Sequence, residues 1–535
     1  MEPWMWYVVL PQLISRVHNK DMTQLFQKLI ISVLSKYPDH AFWHTTQLLR
    51  ATNSERHRLG LDMARHVARQ DREVHEKMHV YHLVTADLND LATAIPPEGN
   101  SHMSLQKSFS KLLGGPVFSG AKKPWRILVP LQQQMTACIP RMRSQKEIRG
   151  ATFDAFPERI YAERCEDQVD VFRTKERPKK LVFIGTDGVK YPFLCKAERR
   201  GDLRKDSRMM MFGVMVNQLL EQHPDAHRRN LHLVTFNVVI LQESCGLIEW
   251  VSKTRGMRHV IDDLWKRTQQ GPQQSLREIK DIFDRSKDLH ETFTKLVLPR
   301  HPPMLQKWFS QSADPSIWLS KRMMFSRSQA LWCMLGYVVG LGDRHGENIL
   351  LEIDSGRVVH VDFDCLFGKG MLLPRPETVP FRLTQNCVSA LGVTGIEGVF
   401  RRTCELCMEV LRDRSNKQTL LSVLQVYIAD PLIEWSAARQ PKDAAKHDEE
   451  GIAKARSTIG DVEKKLNGML NVGVVVRSAG READSVLSPA ERGRSLLGRD
   501  RGVGLSVAGQ VDELLKAAMC KRNLSEMYVG WQSWV

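Results

Sequence analysis

The chain has 535 residues, of which 42% are hydrophobic and 26% are charged, so it is long enough for about two to four domains and a large core. Lys and Arg number 77 against 61 Asp and Glu, and the net charge of +16 fits acidic or nucleic-acid partners as well as a plain basic surface. Ten cysteines without a regular spacing argue against a secreted disulfide scaffold. The longest uncharged run, the 15 residues 328–342, is shorter than the about 20 residues that a membrane span needs.

Residues 1–150 are predicted to be mainly helical. Leu25, Leu29 and residues 32–34 form a helical stripe that Tyr37 and Pro38 interrupt. Helices of this kind are typical of α-solenoid repeats. Because the chain begins inside this helical part, we interpret it as a fragment of a larger protein.

Two patterns in the chain mimic metal sites. His75 and His79 in the sequence HEKMH match the zinc-protease pattern, but their surroundings are polar and charged, so we interpret them as part of an exposed helix. Cys404 and Cys407 form a single C-x-x-C without a second pair, which is weak support for zinc. We interpret this pair as a helical segment.

Residues 181–184 and 191–195 predict two strands joined by a glycine-containing loop at 184–190. Glycine allows close approach of the backbone to a phosphate, so Gly185 and Thr186 are candidate phosphate contacts.

Lys196 ends the second of these strands. Kinases hold ATP phosphates with a lysine placed in this way, and Asp206, in a helix predicted to run to Leu220, would pair with it. The alternatives are a lysine that snorkels from a strand end and an exposed helix charge.

A strand predicted at 231–241 precedes residues 245–251, where the two lobes of a kinase would join. Backbone groups of Glu249 and Val251 would then bind adenine, and Trp250 would stack on it. The alternative is that Trp250 is an ordinary core residue.

Residues 275–345 are predicted to be helical, with a break at 298–303 and a buried, nearly all-apolar helix at 330–339 that leads into the stretch 340–364. That stretch contains Asp343 and, five positions on, Asn348.

Together with Asp362 in an Asp-Phe dipeptide, Asp343 and Asn348 have the spacing of a kinase catalytic loop followed by its metal-binding motif. Asp343 would accept the proton of the substrate hydroxyl, and Asn348 and Asp362 would supply oxygen ligands to Mg²⁺. Apolar runs around residues 354–356 predict a hairpin that places Asp362 beside Asn348. The alternative is a polar hairpin whose Asp and Asn side chains only cap turns.

Two residues depart from the common kinase pattern. His345 follows the catalytic Asp instead of preceding it, and Asp364 stands where the metal motif usually has Gly.

The C-terminal part of the chain contains three kinds of segment. Residues 360–384 lack periodicity and would be the activation loop, and helices are predicted up to 435. Residues 436–502 are interpreted as a linker with a helix at 450–470 and a flexible insertion at 471–501. The end of the chain predicts two helical stripes, which consist of Val511, Leu514, Leu515 and Ala518, and of Leu524, Met527, Tyr528 and Trp531.

Together these motifs resemble the phosphatidylinositol-3-kinase-related kinases, and within them the ATR-type checkpoint kinases. The stretches that carry the resemblance are RPKKLVFIGTDG, KAERRGDLRKDSRMM, GLIEWV, LPRHPP, GLGDRHGEN, HVDFDCLFGKG, VPFRLT, DPLIEW and NLSEMYVGWQSWV. The resemblance implies an α+β, bilobal kinase fold of the PI3K type. Its parts would be the end of a helical FAT region at 1–150, a catalytic domain at 151–435, the linker at 436–502 and a helical FATC domain at 503–535.

The resemblance also implies a function. The protein would be a nuclear serine/threonine kinase that uses ATP with Mg²⁺, or Mn²⁺ in its place, and modifies Ser or Thr followed by Gln in DNA-damage and replication checkpoints. It would act with a regulatory subunit of the ATR-interacting type, and it would meet damaged or single-stranded DNA through partners and not a membrane.

The same motif match assigns individual roles. Lys196 would contact phosphate with support from Asp206, and His345 would stabilise transition-state charge. Phe236 stands where the family usually has a Tyr that assists the acidic residue.

Three alternatives to this interpretation are considered. A lipid kinase would need a basic cluster in its activation loop, and here Lys369, Arg375 and Arg382 are dispersed. A non-catalytic scaffold would be expected to lose at least one of the three motif residues, and all are present. A plain helical adaptor does not account for linked motifs in this order.

Overall fold

The computed structural model describes most of the chain and divides it into two compact units. The first comprises residues 2–212 and 235–252, and the second comprises residues 213–234, 253–428 and the described residues from 456 onward. The described residues are 2–17, 19, 21–95, 101–119, 125–137, 159–174, 176–198, 201–268, 274–312, 314–428, 456–470 and 504–535. The DPLIEW motif at 430–435, the first residues of the helix predicted at 450–470 and the predicted insertion at 471–501 lie outside these ranges.

Local signals set the ends of the helices in the N-terminal part of the first unit. One helix ends at Lys36 and the next begins at Pro38, because proline at the first turn gives up no helical hydrogen bond. Asn53 and Asp71 cap two longer helices by accepting backbone N–H groups of the first turn. The helices here are α1 (Pro3–Val8), α2 (Leu10–Ser15), α3 (Thr23–Lys36), α4 (Pro38–Thr45), a 3₁₀ segment (Thr46–Arg50), α5 (Ser54–Gln70), α6 (Arg72–Thr93), α7 (Leu105–Ser108), α8 (Ser110–Gly114) and α9 (Gln132–Thr136).

The same unit contains an antiparallel sheet of eight strands, and the helices pack on it in one shared core. The two strands predicted on either side of Gly185 are confirmed as a hairpin, with Lys179 opposite Cys195 and Ile184 opposite Lys190. The strands are β1 (His102–Ser104), β2 (Ile127–Leu128), β3 (Tyr161–Cys165), β4 (Gln168–Val171), β5 (Lys179–Gly185), β6 (Lys190–Ala197), β7 (Val238–Gln242) and β8 (Cys245–Glu249). Their path is β1-β4-β5-β6-β8-β7, and β3 joins β2 to β5.

Two features of the sheet differ from the sequence prediction. Strands β1 and β2 lie within residues 1–150, which were predicted to be helical; they are only three and two residues long and have no readable period. The strand predicted from residue 231 begins only at Val238. The preceding segment bonds to side chains instead, since the Leu233 N–H donates to Asn217 Oδ1 at 2.8 Å.

The second unit is mainly helical. Its helices are α10 (Leu203–Gln222), which begins in the first unit, α11 (Pro224–Arg228), α12 (Met257–Thr268), α13 (Leu276–Asp284), α14 (Leu289–Thr292), a π segment (Phe293–Val297), α15 (Leu298–Arg300), α16 (Leu305–Phe309), α17 (Pro315–Val339), a 3₁₀ segment (Lys369–Leu372), α18 (Gln385–Ala390), α19 (Val399–Arg412), α20 (Arg414–Ile428), α21 (456–466), α22 (Val507–Met519), α23 (Lys521–Glu526) and a 3₁₀ segment (Val529–Trp531). None of the helices in the described residues is long and apolar enough to cross a bilayer.

Helix α17 is the buried centre of this unit, as its apolar sequence predicts. Every residue from Ser328 to Val339 is buried, the polar Ser328 included, and Trp332 and Tyr337 are almost fully enclosed. Its C-terminal carbonyl groups need partners from outside the helix. Lys465 of α21 supplies one, with Nζ 2.7 Å from the Tyr337 oxygen; burial lowers the pKa of this lysine to about 8.

The second unit also contains a three-stranded antiparallel sheet, of which two strands follow α17 in the chain. It contains β9 (Thr254–Gly256), β10 (Ile349–Glu352) and β11 (Val358–His360), in the order β11-β10-β9. The predicted hairpin around residues 354–356 is confirmed, with Ile349 opposite His360. Gly356 turns the chain with φ of +77°, a conformation that glycine adopts without steric cost.

The C-terminal residues of the chain pack into this unit around the buried side chain of Arg382. Its guanidinium donates to backbone oxygens of Trp531 (2.8 Å), Gln532 (2.8 Å) and Val535 (2.6 Å), and it lies 4.4 Å from the centre of the Trp531 ring. Thr384 Oγ1 also donates to the Val535 oxygen. Burial lowers the pKa of Arg382 to about 10.

The first predicted C-terminal stripe is confirmed, because its four residues are buried on α22. The second is wrong in part. Helix α23 ends at Glu526 and Met527 is extended, so Leu524, Met527 and Trp531 are buried while Tyr528 is 60% exposed. After the chain leaves the helix, the Trp531 ring lies against the Arg382 guanidinium.

Trp531 and Tyr528 therefore offer a matched pair of aromatic residues in one segment. We expect Trp531→Ala to lower the free energy of unfolding by about 3–5 kcal/mol, as for other buried aromatic truncations. Tyr528→Ala should change it by less than about 0.5 kcal/mol, as for exposed sites. Chemical denaturation of both variants measures the difference, and equal losses would contradict the docking of this segment.

The HEKMH sequence lies on α6, where His75 is half-buried, His79 is exposed and Glu76 pairs with Arg72 at 3.0 Å. Within the described ranges no cluster of three or more His, Cys, Asp or Glu residues could hold a metal. We expect the double variant His75→Ala with His79→Ala to keep the zinc content of the unaltered chain. Elemental analysis of purified protein checks this, and a stoichiometric zinc ion lost in the variant would contradict the interpretation.

Candidate active site

The predicted catalytic loop begins where α17 ends. Gly340 closes the helix with φ of +61°, and a Cβ there would lie 2.6 Å from the backbone nitrogen of Gly368. The Gly368 N–H donates to the Gly340 oxygen at 2.9 Å, and the Gly342 N–H donates to the Cys365 oxygen at 2.8 Å. Only glycine fits at Gly340, and this contact joins the loop to the predicted activation segment.

Asp343 is exposed, but its backbone is held on both sides. Its N–H donates to Glu377 Oε1 at 2.7 Å, and its carbonyl oxygen accepts Asn348 Nδ2 at 3.0 Å. Its φ of +56° lies in the left-handed region, which non-glycine residues seldom occupy, although Asp is enriched there. The surrounding structure thus imposes an uncommon conformation on the predicted proton acceptor.

Asp362 is also exposed and has φ of +61°. The residue before it, Val361, donates its N–H to the Asn348 oxygen at 3.1 Å. Both residues are held by the buried Arg344, which donates to the oxygens of Gly342 (2.8 Å) and Val361 (2.9 Å) and to that of Asp362. Arg344 is therefore the clamp between the catalytic loop and the metal motif.

Asn348 and Asp362 fit the ligand set of a divalent ion. Asn348 Nδ2 donates to the Asp343 oxygen, which leaves the amide oxygen Oδ1 of Asn348 for a ligand. The exposed carboxylate of Asp362 follows strand β11, which pairs with the strand that begins directly after Asn348. Mg²⁺ is commonly held by one or two protein oxygens, with phosphate and water completing its octahedron. The residues present fit such an ion only together with a phosphate ligand.

Burial lowers the pKa of the His345 imidazole, which favours the neutral form of the ring. Its Nδ1 accepts the Glu347 N–H at 3.3 Å. The proton of the neutral ring therefore lies on Nε2, which makes that nitrogen a hydrogen-bond donor.

The predicted phosphate loop is a tight turn in the first unit. The Gly188 N–H donates to the Gly185 oxygen at 2.9 Å, and Gly188 has φ of +76°, which is a type I turn followed by a glycine bulge. The N–H groups of Gly185 and Thr186 donate to the oxygens of Val189 and Tyr161, both at 2.9 Å. These amides are engaged inside the protein, and phosphate contact by Gly185 and Thr186 stays a prediction.

Lys196 lies on β6 and forms an ion pair with Glu198, a residue that the sequence analysis did not single out. Asp206 is half-buried in the first turn of α10, and Phe236 is buried. The pairing of Lys196 with Asp206 stays a prediction.

The predicted adenine-binding segment is built around the carboxylate of Glu249. Its Oε2 accepts the backbone N–H groups of Asn237 (2.9 Å) and Gln132 (2.8 Å), and burial raises the pKa of this carboxyl. The Trp250 ring stacks on Phe172 with 5.6 Å between centroids. Val251 is half-buried. The Glu249 side chain is thus structural, and adenine contacts by Glu249, Trp250 and Val251 stay predictions.

The predicted site residues fall into two groups. Asp343, His345, Asn348 and Asp362 come together within the second unit, while Gly185, Thr186, Lys196, Asp206, Glu249, Trp250 and Val251 belong to the first.

Sequence reasoning missed Glu377 and the roles of Arg344 and Arg382. Arg344 is adjacent to Asp343 within the motif, and this adjacency could have indicated that Arg344 supports the loop. Glu377 lies in an aperiodic segment that offers no pattern.

Comparisons with known proteins cover nearly the whole chain. The family described as phosphatidylinositol 3- and 4-kinase matches residues 190–437, the ATR-like HEAT repeats match residues 1–95, and the FATC domain matches residues 504–535. The serine/threonine-protein kinase ATR of Arabidopsis thaliana is 35% identical over 99% of this chain. Protein kinase rad3 of Schizosaccharomyces pombe is 33% identical over 98%. The chain spans about a fifth of their lengths, 18% and 20% respectively.

Solved structures agree with these matches. The FAT and kinase domain of CtTel1 is similar with a TM-score of 0.78 and 25% identity, covering 100% of this chain and 34% of that one. The predicted α+β kinase fold with a C-terminal FATC domain is confirmed. Relatives that are protein kinases imply the use of ATP and a divalent metal. The chain therefore contains a kinase domain of the phosphatidylinositol 3- and 4-kinase family followed by a FATC domain, and over its whole length it is similar to kinases of the ATR type.

Proposed function

We propose that this chain is the catalytic part of a serine/threonine protein kinase that transfers the γ-phosphate of ATP to protein hydroxyl groups. The observation that carries the proposal is the joint placement of Asp343, Asn348 and Asp362. Asn348 bonds to the backbone of Asp343 at 3.0 Å and accepts the N–H of Val361, next to Asp362, at 3.1 Å. Catalysis of phosphoryl transfer depends mainly on the positions of the reacting groups, and here two exposed carboxylates are held by buried neighbouring residues.

In this proposal Asp343 accepts the proton of the Ser or Thr hydroxyl while that oxygen bonds to the γ-phosphorus and the bond to ADP breaks. Asn348 and Asp362 hold Mg²⁺, or Mn²⁺ in its place, which when bound neutralises charge on the phosphates. The buried frame from Arg344 keeps the catalytic loop and the metal motif in register, so the reacting groups are placed before substrate arrives.

His345 acts on the transferred group in the same scheme. Its Nδ1 accepts the Glu347 N–H, and its Nε2–H, which has no acceptor among the described residues, would donate to an oxygen of the phosphoryl group. A neutral donor placed where negative charge develops stabilises the transition state.

The wider role follows from similarity to relatives named serine/threonine-protein kinase ATR. We propose Ser or Thr followed by Gln as the favoured site, and DNA-damage and replication checkpoints as the setting. We further propose a nuclear location, a regulatory subunit of the ATR-interacting type as partner, and contact with damaged or single-stranded DNA through partners.

Substitutions of the two exposed aspartates should impair different steps of the reaction. We expect Asp343→Asn to lower kcat by about 10²–10⁴-fold, the usual contribution of a proton acceptor, with nucleotide affinity near normal. Asp362→Asn should weaken binding of the metal–ATP complex by at least about tenfold, because a metal ligand is lost. Asn tolerates a positive φ, so neither change should disturb the backbone. Nucleotide titration and peptide turnover separate the two effects.

Asp354→Asn is the matched control for both variants. Asp354 lies on the same hairpin, its side chain is 62% exposed, and its only role in the described contacts is an ion pair with Lys253 at 2.6 Å. We expect unchanged binding and turnover in this variant. Equal losses of nucleotide binding in Asp343→Asn and Asp362→Asn would overturn the division of roles.

The substrate class has its own test. We expect the chain to phosphorylate a peptide with Ser-Gln faster than the same peptide with Ser-Ala, and to leave phosphoinositide vesicles unmodified, because Lys369 pairs with Asp364 at 2.7 Å and Arg382 is buried. Radiolabel transfer to each substrate measures this. Preferential labelling of the lipid would favour the lipid-kinase alternative.

A further inference from the structure

One acidic residue outside the recognised motifs contacts the proton acceptor directly. Glu377 lies in the predicted activation segment, and its Oε1 accepts the N–H of Asp343 at 2.7 Å. Its Oε2 packs against Gly342 and Gly370, where an added Cβ would overlap the carboxylate. Two glycines thus leave room for this side chain beside the catalytic loop.

The position of Glu377 is fixed independently of Asp343. Its own N–H donates to the Gly370 oxygen at 3.1 Å. The next residue, Thr378, donates its Oγ1 to the Asn523 oxygen at 2.7 Å. Glu377 is therefore tied to the segment on one side and, through Thr378, to the C-terminal residues that pack around Arg382.

The bond matters because of the backbone conformation of Asp343. A left-handed φ at a non-glycine residue persists only when the surroundings impose it. Asn348 holds the carbonyl side of Asp343 and Glu377 holds the N–H side. These two bonds together define the direction in which the Asp343 carboxylate leaves the loop.

We infer that Glu377 is a positioning residue for Asp343. Glu377 couples the position of the activation segment to the orientation of Asp343, the proton acceptor of the proposed kinase reaction. The inference rests on the proposed function for its kinetic consequence. Glu377 does not touch the reacting atoms; it acts by accepting the Asp343 N–H.

Titration of the Glu377 carboxyl should make kcat depend on pH, an effect that a purely structural role in packing would not produce. Burial, and next the charge of Asp343, raise the pKa of Glu377 to about 7, although the Asp343 N–H and Arg344 act in the opposite direction. Among the described residues the thiol of Cys365 also faces it, and burial raises the pKa of this thiol to about 12. As pH rises through about 7 the carboxylate ionises, and an ionised acceptor forms a stronger hydrogen bond than a protonated one.

The test compares Glu377→Ala, which removes the acceptor, with Glu377→Gln, which keeps an oxygen at the same place. We expect Glu377→Ala to lower kcat by about 10- to 100-fold, as for a small misplacement of a reacting group, with the KM for ATP unchanged. Glu377→Gln should remain within about threefold of the unaltered chain at pH 8. Glu397→Ala is the control, because its 60%-exposed side chain pairs only with Arg401 among the described residues.

The pH profile keeps the inference testable if Glu377→Ala does not fold. We expect kcat of the unaltered chain to rise between pH 6 and 8 with a step near pH 7, and we expect the step to be absent in Glu377→Gln. A step that persists in Glu377→Gln, or a fully active Glu377→Ala, would overturn the inference. Absence of peptide phosphorylation in the unaltered chain would instead contradict the proposed function.

Thr378→Val tests the link to the C-terminal residues. Loss of the bond to Asn523 should lower kcat less than Glu377→Ala does, and the double variant should be no worse than Glu377→Ala alone, since both changes act through one contact. Independent, multiplying losses would show that Thr378 does not act through Glu377, and would overturn this part of the inference.

Discussion

The second unit, which contains the predicted catalytic loop, depends on one buried cation whose partners are backbone oxygens. Arg382 donates to Trp531, Gln532 and Val535, and also to the oxygen of Arg344 in the catalytic loop at 3.3 Å. A buried charge is destabilising unless its hydrogen bonds are made. Because the acceptors here are backbone oxygens, the chain segments that carry them must pack beside the guanidinium. The C-terminal residues and the catalytic loop are thus held by the same guanidinium.

Other buried cationic side chains of the protein also donate hydrogen bonds to backbone oxygens. Lys179 of β5 donates to the oxygens of Ala92 and Ala94 at the end of α6, at 2.7 and 2.6 Å. Lys465 does the same at the end of α17. Helix C-termini carry carbonyl groups without intrahelical partners and a partial negative charge, so a lysine from another element both satisfies these groups and fixes where that element packs.

The two aspartates of the predicted site are exposed, while the groups that orient them are buried or half-buried. Asp343 and Asp362 both have positive φ, and Arg344, Asn348 and Glu377 hold the backbone around them. Rigid support from neighbouring side chains is what allows an exposed carboxylate to keep one direction. The loop is therefore specified by its supporting contacts more than by its own conformational preference.

The sequence by itself determined the order of the elements and the identity of the motif residues. The hairpins around Gly185 and Gly356 and the buried helix before Gly340 follow from turn residues and apolar runs, which are local properties. Only the tertiary structure decided that Glu249 accepts the N–H of Gln132, that Glu377 holds Asp343 and that Tyr528 faces solvent. These depend on contacts between residues far apart in the chain or on where a helix ends, and no local period encodes such contacts.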